Sequence, residues 1–224
     1  MSEPVKSTRR YESPRRRQQA AATRTQILGS ARRLFEEQGY AATTMAAIAA
    51  DAGVALKTVY VAFETKSGVL RAVWHLLLRG DEDDVAVQDR RWYQEVVEEA
   101  DPVRQLRLTA RNSRAVKERV AGLFSVIRSA ALADPEIEAL WSRIESDFYD
   151  NQHSIVQSLD EKGALRPGLG IDRASDVLWT LNHPDVWQLL VRERGWTPEE
   201  FEQWFGDIAC AQLLAEPGRR TRKR

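Results

Sequence analysis

The sequence lacks the features that several classes of protein require. It has one cysteine, Cys210, which cannot form an internal disulfide and fits a reducing cytoplasm. No apolar run approaches the roughly 18 residues that a transmembrane helix needs. Met1 to Arg10 are polar and basic, without the hydrophobic stretch of a signal peptide. We therefore expect a cytoplasmic protein with no membrane partner.

Patterns for catalysis and metal binding are also missing. The sequence has no glycine-rich phosphate loop and no motif that places a nucleophile beside its base. His75, His153 and His183 are far apart, and the single cysteine has no nearby metal-binding neighbour. We expect no enzyme activity, no metal site and no cofactor.

The strict alternation of a β-strand is largely absent. Apolar residues recur instead at steps of three and four, which predicts an all-α fold of nine or ten helices. Three helix starts are marked by a capping residue before proline, at Asp101-Pro102, Asp134-Pro135 and Thr197-Pro198, and the last adds the Glu200 of a capping box. The predicted helices cover about 20–38, 45–52, 55–62, 66–79, 102–133, 135–162, 172–194 and 198–214, with a possible break at 111–114, a loop at 81–84 and no firm assignment for 85–100.

Charge is distributed unevenly along a chain whose net charge is zero. Residues 1–80 carry 13 Lys and Arg against 6 Asp and Glu, whereas residues 81–216 carry 15 against 27. Residues 217–224 add five basic residues. This asymmetry indicates a basic part suited to a polyanion and a larger part that is not.

The segment from Thr44 to Phe63 has the pattern of a helix-turn-helix. Two short helices meet at Gly53, which tolerates the positive φ of a tight turn, and the small Ala49 lies where they cross. Ile48, Val59 and Phe63 are expected to face the first helix. The second helix then presents its outward side chains to a DNA major groove.

Residues 24–74 resemble the tetracycline-repressor (TetR) family of bacterial regulators. The matching positions are Ala31, Phe35, Gly39, Tyr40, Thr43, Thr44, Ile48, Ala49, Ala52, Gly53, Val54, Thr58, Val59, Tyr60, Phe63, Lys66 and Leu70. Residues 178–182 and 192–198 resemble C-terminal halves of that family less specifically, and Val61-Ala62 departs from its aromatic or histidine pattern. The resemblance implies a three-helix DNA-binding domain on a larger helical domain for ligand binding and dimerisation.

We accordingly divide the chain into four parts. Residues 1–19 are a basic flexible arm, 20–65 the helix-turn-helix domain, 66–215 the ligand-binding and dimerisation domain, and 216–224 a basic tail. The Arg15–Arg17 run either contacts DNA or is a solvated tail.

The candidate DNA-binding residues are Thr44, Ala55, Leu56, Lys57, Thr58, Tyr60, Val61 and Lys66. Thr44, Tyr60 and Lys66 are assigned to phosphates. Lys57 can read guanine O6 and N7, while Leu56 and Ala55 can pack on thymine methyls. Two alternatives stay open: Tyr60 packs against the first helix, and Lys57 touches only phosphate.

The larger domain supplies two further candidate sites. A ligand pocket is predicted from aromatic residues with polar neighbours: Trp92, Phe124, Trp141, Phe148, Trp179, Asn182, His183 and Trp187. A dimer interface is predicted from two apolar stripes: Ala174, Val177, Leu178 and Leu181, with Phe201, Trp204, Phe205 and Ile208. Ordinary core packing is the alternative for each stripe and each tryptophan, and His183 could equally be a satisfied helix-end histidine.

These observations predict a homodimeric, sequence-specific transcriptional regulator. We expect a repressor that binds a double-stranded palindromic operator and is released by a small hydrophobic or aromatic effector. The alternative is a helical protein-interaction module with only nonspecific affinity for DNA.

Overall fold

The computed structural model describes residues 14–80 and 87–215, and within them the fold is all-α. Its helices are α1 (Pro14–Ala42), α2 (Met45–Asp51), α3 (Leu56–Phe63), α4 (Lys66–Arg79), α5 (Arg91–Glu98), α6 (Pro102–Ala131), α7 (Pro135–Glu161), α8 (Ile171–Leu181), α9 (Pro184–Trp187) and α10 (Pro198–Leu213), with a 3₁₀ turn at Val87–Asp89 and a π-helix at Gln188–Glu193. No strand occurs in these ranges beyond one isolated bridge between Leu165 and Leu214. The predicted fold class is confirmed.

The capping motifs begin the helices where the sequence places them. The Asp101 carboxylate accepts hydrogen bonds from the backbone N–H groups of Val103 and Arg104. The Asp134 carboxylate caps α7 by accepting a hydrogen bond from the Glu136 N–H, and Thr197 and Glu200 form both hydrogen bonds of a capping box at α10. These side chains satisfy donors that the first helical turn leaves unpaired.

Two boundaries differ from the sequence prediction. The first helix begins at Pro14, so residues 14–19, predicted to belong to a flexible arm, are helical; arginine and glutamine are strong helix formers. Helix α6 runs without a break through 111–114. The remaining arm residues 1–13, the loop at 81–84 and the tail at 216–224 lie outside the described residues.

The predicted helix 172–194 is wrong as a single element. Helix α8 ends at Leu181, because His183 precedes a proline and adopts an extended ψ of 139°. The His183 Nδ1 then accepts a hydrogen bond from the Asp185 N–H at 3.2 Å, which caps the new helix α9. Pro184 therefore occupies the first position of a new helix.

Contacts divide the chain into two compact units, Met1–Val73 and Trp74–Arg224. The division falls inside α4, later than the predicted boundary at residue 66. In the first unit the fully buried side chains include Phe35, Ile48, Val59 and Leu70. The core of the second unit joins α6, α7, α8 and α10 around Phe201 and Phe205.

Candidate functional site

Helices α2 and α3 meet at a steep angle in the first unit. Their axes turn through 114°, and four residues, 52–55, separate them. Gly53 has φ 63°, and the Val54 N–H donates to the Ala49 carbonyl at 3.0 Å, which closes the turn. This angle and this glycine-containing turn are those of a DNA-binding helix-turn-helix.

The two faces of α3 differ sharply in exposure. Val59 is fully buried and Phe63 nearly so, whereas Leu56, Tyr60 and Val61 are 41%, 48% and 76% exposed. Ala55 and Lys57 are also exposed, and Thr58 is half-buried. Tyr60 does not pack into the core, and the outward side chains of α3 form a continuous accessible face.

Thr44 lies at the start of α2 as its N-cap. Its Oγ1 accepts a hydrogen bond from the Ala47 N–H at 3.0 Å. A hydroxyl that accepts through one lone pair still carries a proton that it can donate. Thr44 therefore has a donor for a phosphate while it holds the helix start in place.

Lys66 has partners inside the first unit. Its Nζ donates to the Tyr40 carbonyl at 2.8 Å and lies 4.1 Å from the centroid of the Tyr40 ring. The lysine therefore ties the start of α4 to the end of α1, just after the non-helical Gly39 (φ 78°). This contact gives it a structural role that its position in the sequence did not indicate.

The start of α4 depends on two further residues that sequence reasoning missed. Thr65 Oγ1 accepts a hydrogen bond from the Gly68 N–H at 3.0 Å and so caps the helix. A Cβ at Gly68 would lie 2.3 Å from the Phe63 carbonyl oxygen. Only glycine fits where α3 and α4 approach this closely. Gly68 itself has an ordinary helical φ, so its backbone conformation does not explain why glycine is needed.

The second unit contains two neighbouring cavities. The Trp92 cavity, of about 120 Å³, is lined by Leu78, Val87, Trp92, Tyr93, Val96, Thr109, Asn112, Ser113, Val116, Lys117, Phe148, Asn151, Gln152, Ile155 and Asn182. The Trp179 cavity, of about 110 Å³, is lined by Trp74, Leu78, Val116, Lys117, Val120, Phe124, Ile144, Glu145, Asp147, Phe148, Asn151, Trp179, His183 and Pro184. Both are mainly apolar with a few polar groups, the composition usual in small-molecule sites.

Six of the eight predicted pocket residues line one or both cavities. The other two, both tryptophans, do not. Trp141 packs edge-on against Phe124 with ring centroids 4.8 Å apart and lines a separate surface depression. Trp187 is buried in the core against Phe201, at a centroid distance of 5.0 Å. The structure therefore assigns Trp187 to core packing.

Lys117 lines both cavities and was not predicted. Its Nζ donates to Ser113 Oγ at 2.6 Å and to Asn182 Oδ1 at 2.5 Å, and burial lowers the pKa of the amine to about 7. The sequence carried a signal for it: Lys117 is on the apolar face of α6, at helical spacing from Val120 and Phe124. A lysine on such a face is rarely fully buried without a specific reason.

His183 serves as a helix cap and as a cavity wall. Its ring meets Trp179 edge-on at a centroid distance of 4.8 Å, and its Nδ1 accepts the Asp185 N–H. Burial lowers the pKa of the imidazole. The two sequence interpretations of this histidine are therefore compatible.

The two stripes predicted for dimerisation divide into core and partly exposed residues. Ala174, Leu178, Phe201 and Phe205 are fully buried within the single chain, so they have no surface left to offer a partner. Val177, Leu181, Trp204 and Ile208 stay half-exposed. Helical periodicity identified the apolar residues of these helices. It did not separate those buried in the core of the chain from those that stay partly exposed.

The part of the chain that the structure describes contains no group of three His, Cys, Asp or Glu side chains that could hold a metal ion. No single helix there is long and apolar enough to cross a membrane, and only the bent pair α2 and α3 reaches that apolar content when combined.

One segment of the chain is similar to a known protein family. Residues 27–73 match the model for bacterial regulatory proteins of the tetR family, a span that contains α2, α3 and most of α4. No curated protein sequence matches the chain significantly.

Several solved structures share the fold. A protein described as a transcriptional regulator from Saccharomonospora viridis, in complex with choline, is 17% identical with a TM-score of 0.67, covering 88% of this chain and 100% of its own. SmeT in complex with triclosan is 22% identical with a TM-score of 0.69, covering 88% and 93%. NalD, the secondary repressor of the MexAB-OprM multidrug efflux pump in Pseudomonas aeruginosa, is 22% identical with a TM-score of 0.65, covering 88% and 98%. At these identities the likeness shows the fold alone, and the similarity to the tetR family lies in residues 27–73.

Proposed function

We propose that this protein is a transcriptional repressor that binds double-stranded operator DNA as a homodimer and releases it when a small molecule occupies its second unit. The observation that carries the proposal is the exposed face of α3 beyond a glycine-jointed turn. A helix presented in this way enters the major groove, and a dimer reaches two half-sites about 34 Å apart.

The DNA contacts follow from the exposed residues. Lys57 reads a guanine, Leu56 and Ala55 pack on thymine methyls, and Tyr60 and Thr44 donate to phosphates. Thr58 and Val61 complete the groove-facing surface. Lys66 contacts a further phosphate, and its hydrogen bond to the Tyr40 carbonyl gives it a structural role as well.

Effector control is supported by the position of α4. Val69 and Leu70 belong to the core of the first unit, whereas Trp74 and Leu78, further along the same helix, line the cavities. A ligand that contacts Trp74 or Leu78 would bias the position of α4. A coupling of about 1–3 kcal/mol would change operator affinity roughly 5- to 150-fold.

Relatives of the same fold support a small-molecule effector. One was solved with choline and another with triclosan, and NalD is a repressor by its own description. For this chain, the half-exposed Val177, Leu181, Trp204 and Ile208 are the proposed dimer surface.

A gel-shift assay tests the DNA-binding proposal. The probe is the DNA upstream of the protein's own gene, with and without excess nonspecific competitor. We expect a complex that survives the competitor and is weakened by Lys57→Ala, with Lys162→Ala as the control lysine in the second unit. A complex that the competitor abolishes would instead indicate nonspecific DNA affinity and a protein-interaction module.

A further inference from the structure

Lys117 is a buried amine with no carboxylate paired to it. Its relative exposure is 5%, and the two oxygens that accept its hydrogen bonds belong to a hydroxyl and an amide, both neutral. Among the described residues, no carboxylate forms an ion pair with it. A buried charge costs free energy unless it is paired.

The amine also has donor capacity left over. A protonated lysine carries three N–H donors, and Ser113 Oγ and Asn182 Oδ1 take two of them. These two acceptors are themselves held in place: Ser113 donates to Asn182, whose amide donates to Gln152 Oε1 at 3.0 Å. The network fixes Nζ in the cavity wall, 5.5 Å from the centroid of the Phe201 ring, and these two hydrogen bonds use two of its three N–H groups.

The two cavities differ in the charges around this amine. Glu145 and Asp147 line the Trp179 cavity, so an anion there would meet two carboxylates. None of the described residues that line the Trp92 cavity is acidic, and Lys117 is the one basic residue among them. Its other walls are aromatic and aliphatic, with the side-chain amides of Asn112, Asn151 and Gln152 among them.

We propose that the Trp92 cavity binds a small aromatic molecule with one carboxylate, and that this carboxylate accepts a charge-assisted hydrogen bond from Lys117. This inference rests on the proposed function, because it names the class of effector for the same site. The aromatic part packs against Trp92 and Phe148, while the carboxylate supplies the counter-charge that the protein itself does not provide.

Matched pairs of probes test the assignment by calorimetry on the full chain. The probes are benzoate, 3-phenylpropanoate and 2-naphthoate, each compared with its own primary amide. Hydrogen bonds to charged groups are stronger than neutral ones, so we expect at least one carboxylate to bind about tenfold or more tightly than its amide.

Two variants assign that preference to Lys117. Lys117→Met and Lys117→Gln should both remove the preference for the carboxylate over its amide. The Gln variant keeps a hydrogen-bonding side chain, so it serves as the test if the Met variant disturbs folding. Lys162→Met is the matched control, since Lys162 Nζ also donates to two neutral oxygens, at 2.6 and 2.9 Å, but lines neither cavity. This control should keep the preference. Equal binding of acids and amides, no binding of any acid, or a preference that survives in both Lys117 variants would each overturn the inference.

The gel shift separates this inference from the proposed function. A carboxylate that binds through Lys117 but leaves the DNA complex intact would support the inference and overturn effector release. If a neutral ligand releases the DNA and the protein shows no preference for carboxylates, effector release is supported and the inference about Lys117 is overturned.

Discussion

Gly68 and Gly29, both in the first unit, should respond in opposite ways to substitution by alanine. A Cβ at Gly68 would lie 2.3 Å from the Phe63 carbonyl oxygen, whereas a Cβ at Gly29, in the middle of α1, has nothing within 4 Å. Gly68→Ala should lower the free energy of unfolding by about 1–3 kcal/mol because backbone must move. Gly29→Ala should raise it by roughly 0.5–1 kcal/mol through helix propensity. Urea unfolding of both variants measures the difference, and a stable Gly68→Ala protein would contradict the close approach.

Lys117 makes stability depend on pH in a defined direction. Its pKa is about 7 in the folded protein and 10.5 when exposed, so between these values the unfolded chain binds one more proton. The cost of burying the ammonium is therefore complete below pH 7 and disappears as the pH rises towards 10.5. Lys117→Met should stabilise the protein most below pH 7, by a few kcal/mol, with the gain falling by about 1.4 kcal/mol per pH unit above it.

The measurement is the difference in unfolding free energy between the two proteins from pH 6 to 9. Other titratable groups line the same cavities, namely Tyr93, Glu145, Asp147 and His183, but both proteins contain them. Their contributions largely cancel in the difference. A difference that is constant with pH would contradict the burial of a charged amine.

At the scale of helices, α3 and α4 should respond differently to the loss of a lysine. Lys57→Ala removes an exposed side chain, so it should relax discrimination at one base pair by about 1–3 kcal/mol without changing the melting temperature. Lys66→Met removes the hydrogen bond and the cation–π contact with Tyr40, so it should lower stability by about 1–2 kcal/mol and weaken all DNA sequences alike. Binding to a set of single-base operator variants, with melting curves, compares the two. Identical profiles would remove the division of roles.

Helix starts and the turn could be predicted because their causes are local. The Asp101 and Thr197 caps and the Gly53 turn each depend on residues within a few positions, so sequence alone places them. The environment of Lys117 depends on Asn182, 65 positions away, and could not be derived from local pattern. The same limit applied to α8 and α10, where periodicity marks an apolar face without showing that Ala174 and Leu178 already belong to the core.

Dimerisation should depend on the partly exposed apolar residues of α8 and α10. Ile208 is half-buried and, unlike Trp204, does not pack against the main core cluster. A charge placed in an apolar interface is costly, so Ile208→Glu should give a folded monomer that has lost most operator affinity. Sedimentation velocity and circular dichroism measure the two properties. Leu132→Glu, at a leucine that is 91% exposed at the end of α6, should remain dimeric; a dimeric Ile208→Glu protein would exclude this surface.

The partition between the two cavities has a consequence for ligand size. Leu78, Val116, Lys117, Phe148 and Asn151 line both spaces, so one layer of side chains separates them. A single-ring compound fits on one side without moving this layer. A compound that occupies both spaces at once has to displace a side chain of this layer, such as Phe148. Compounds that span both spaces should therefore associate more slowly than those that occupy one, because their entry waits for that displacement.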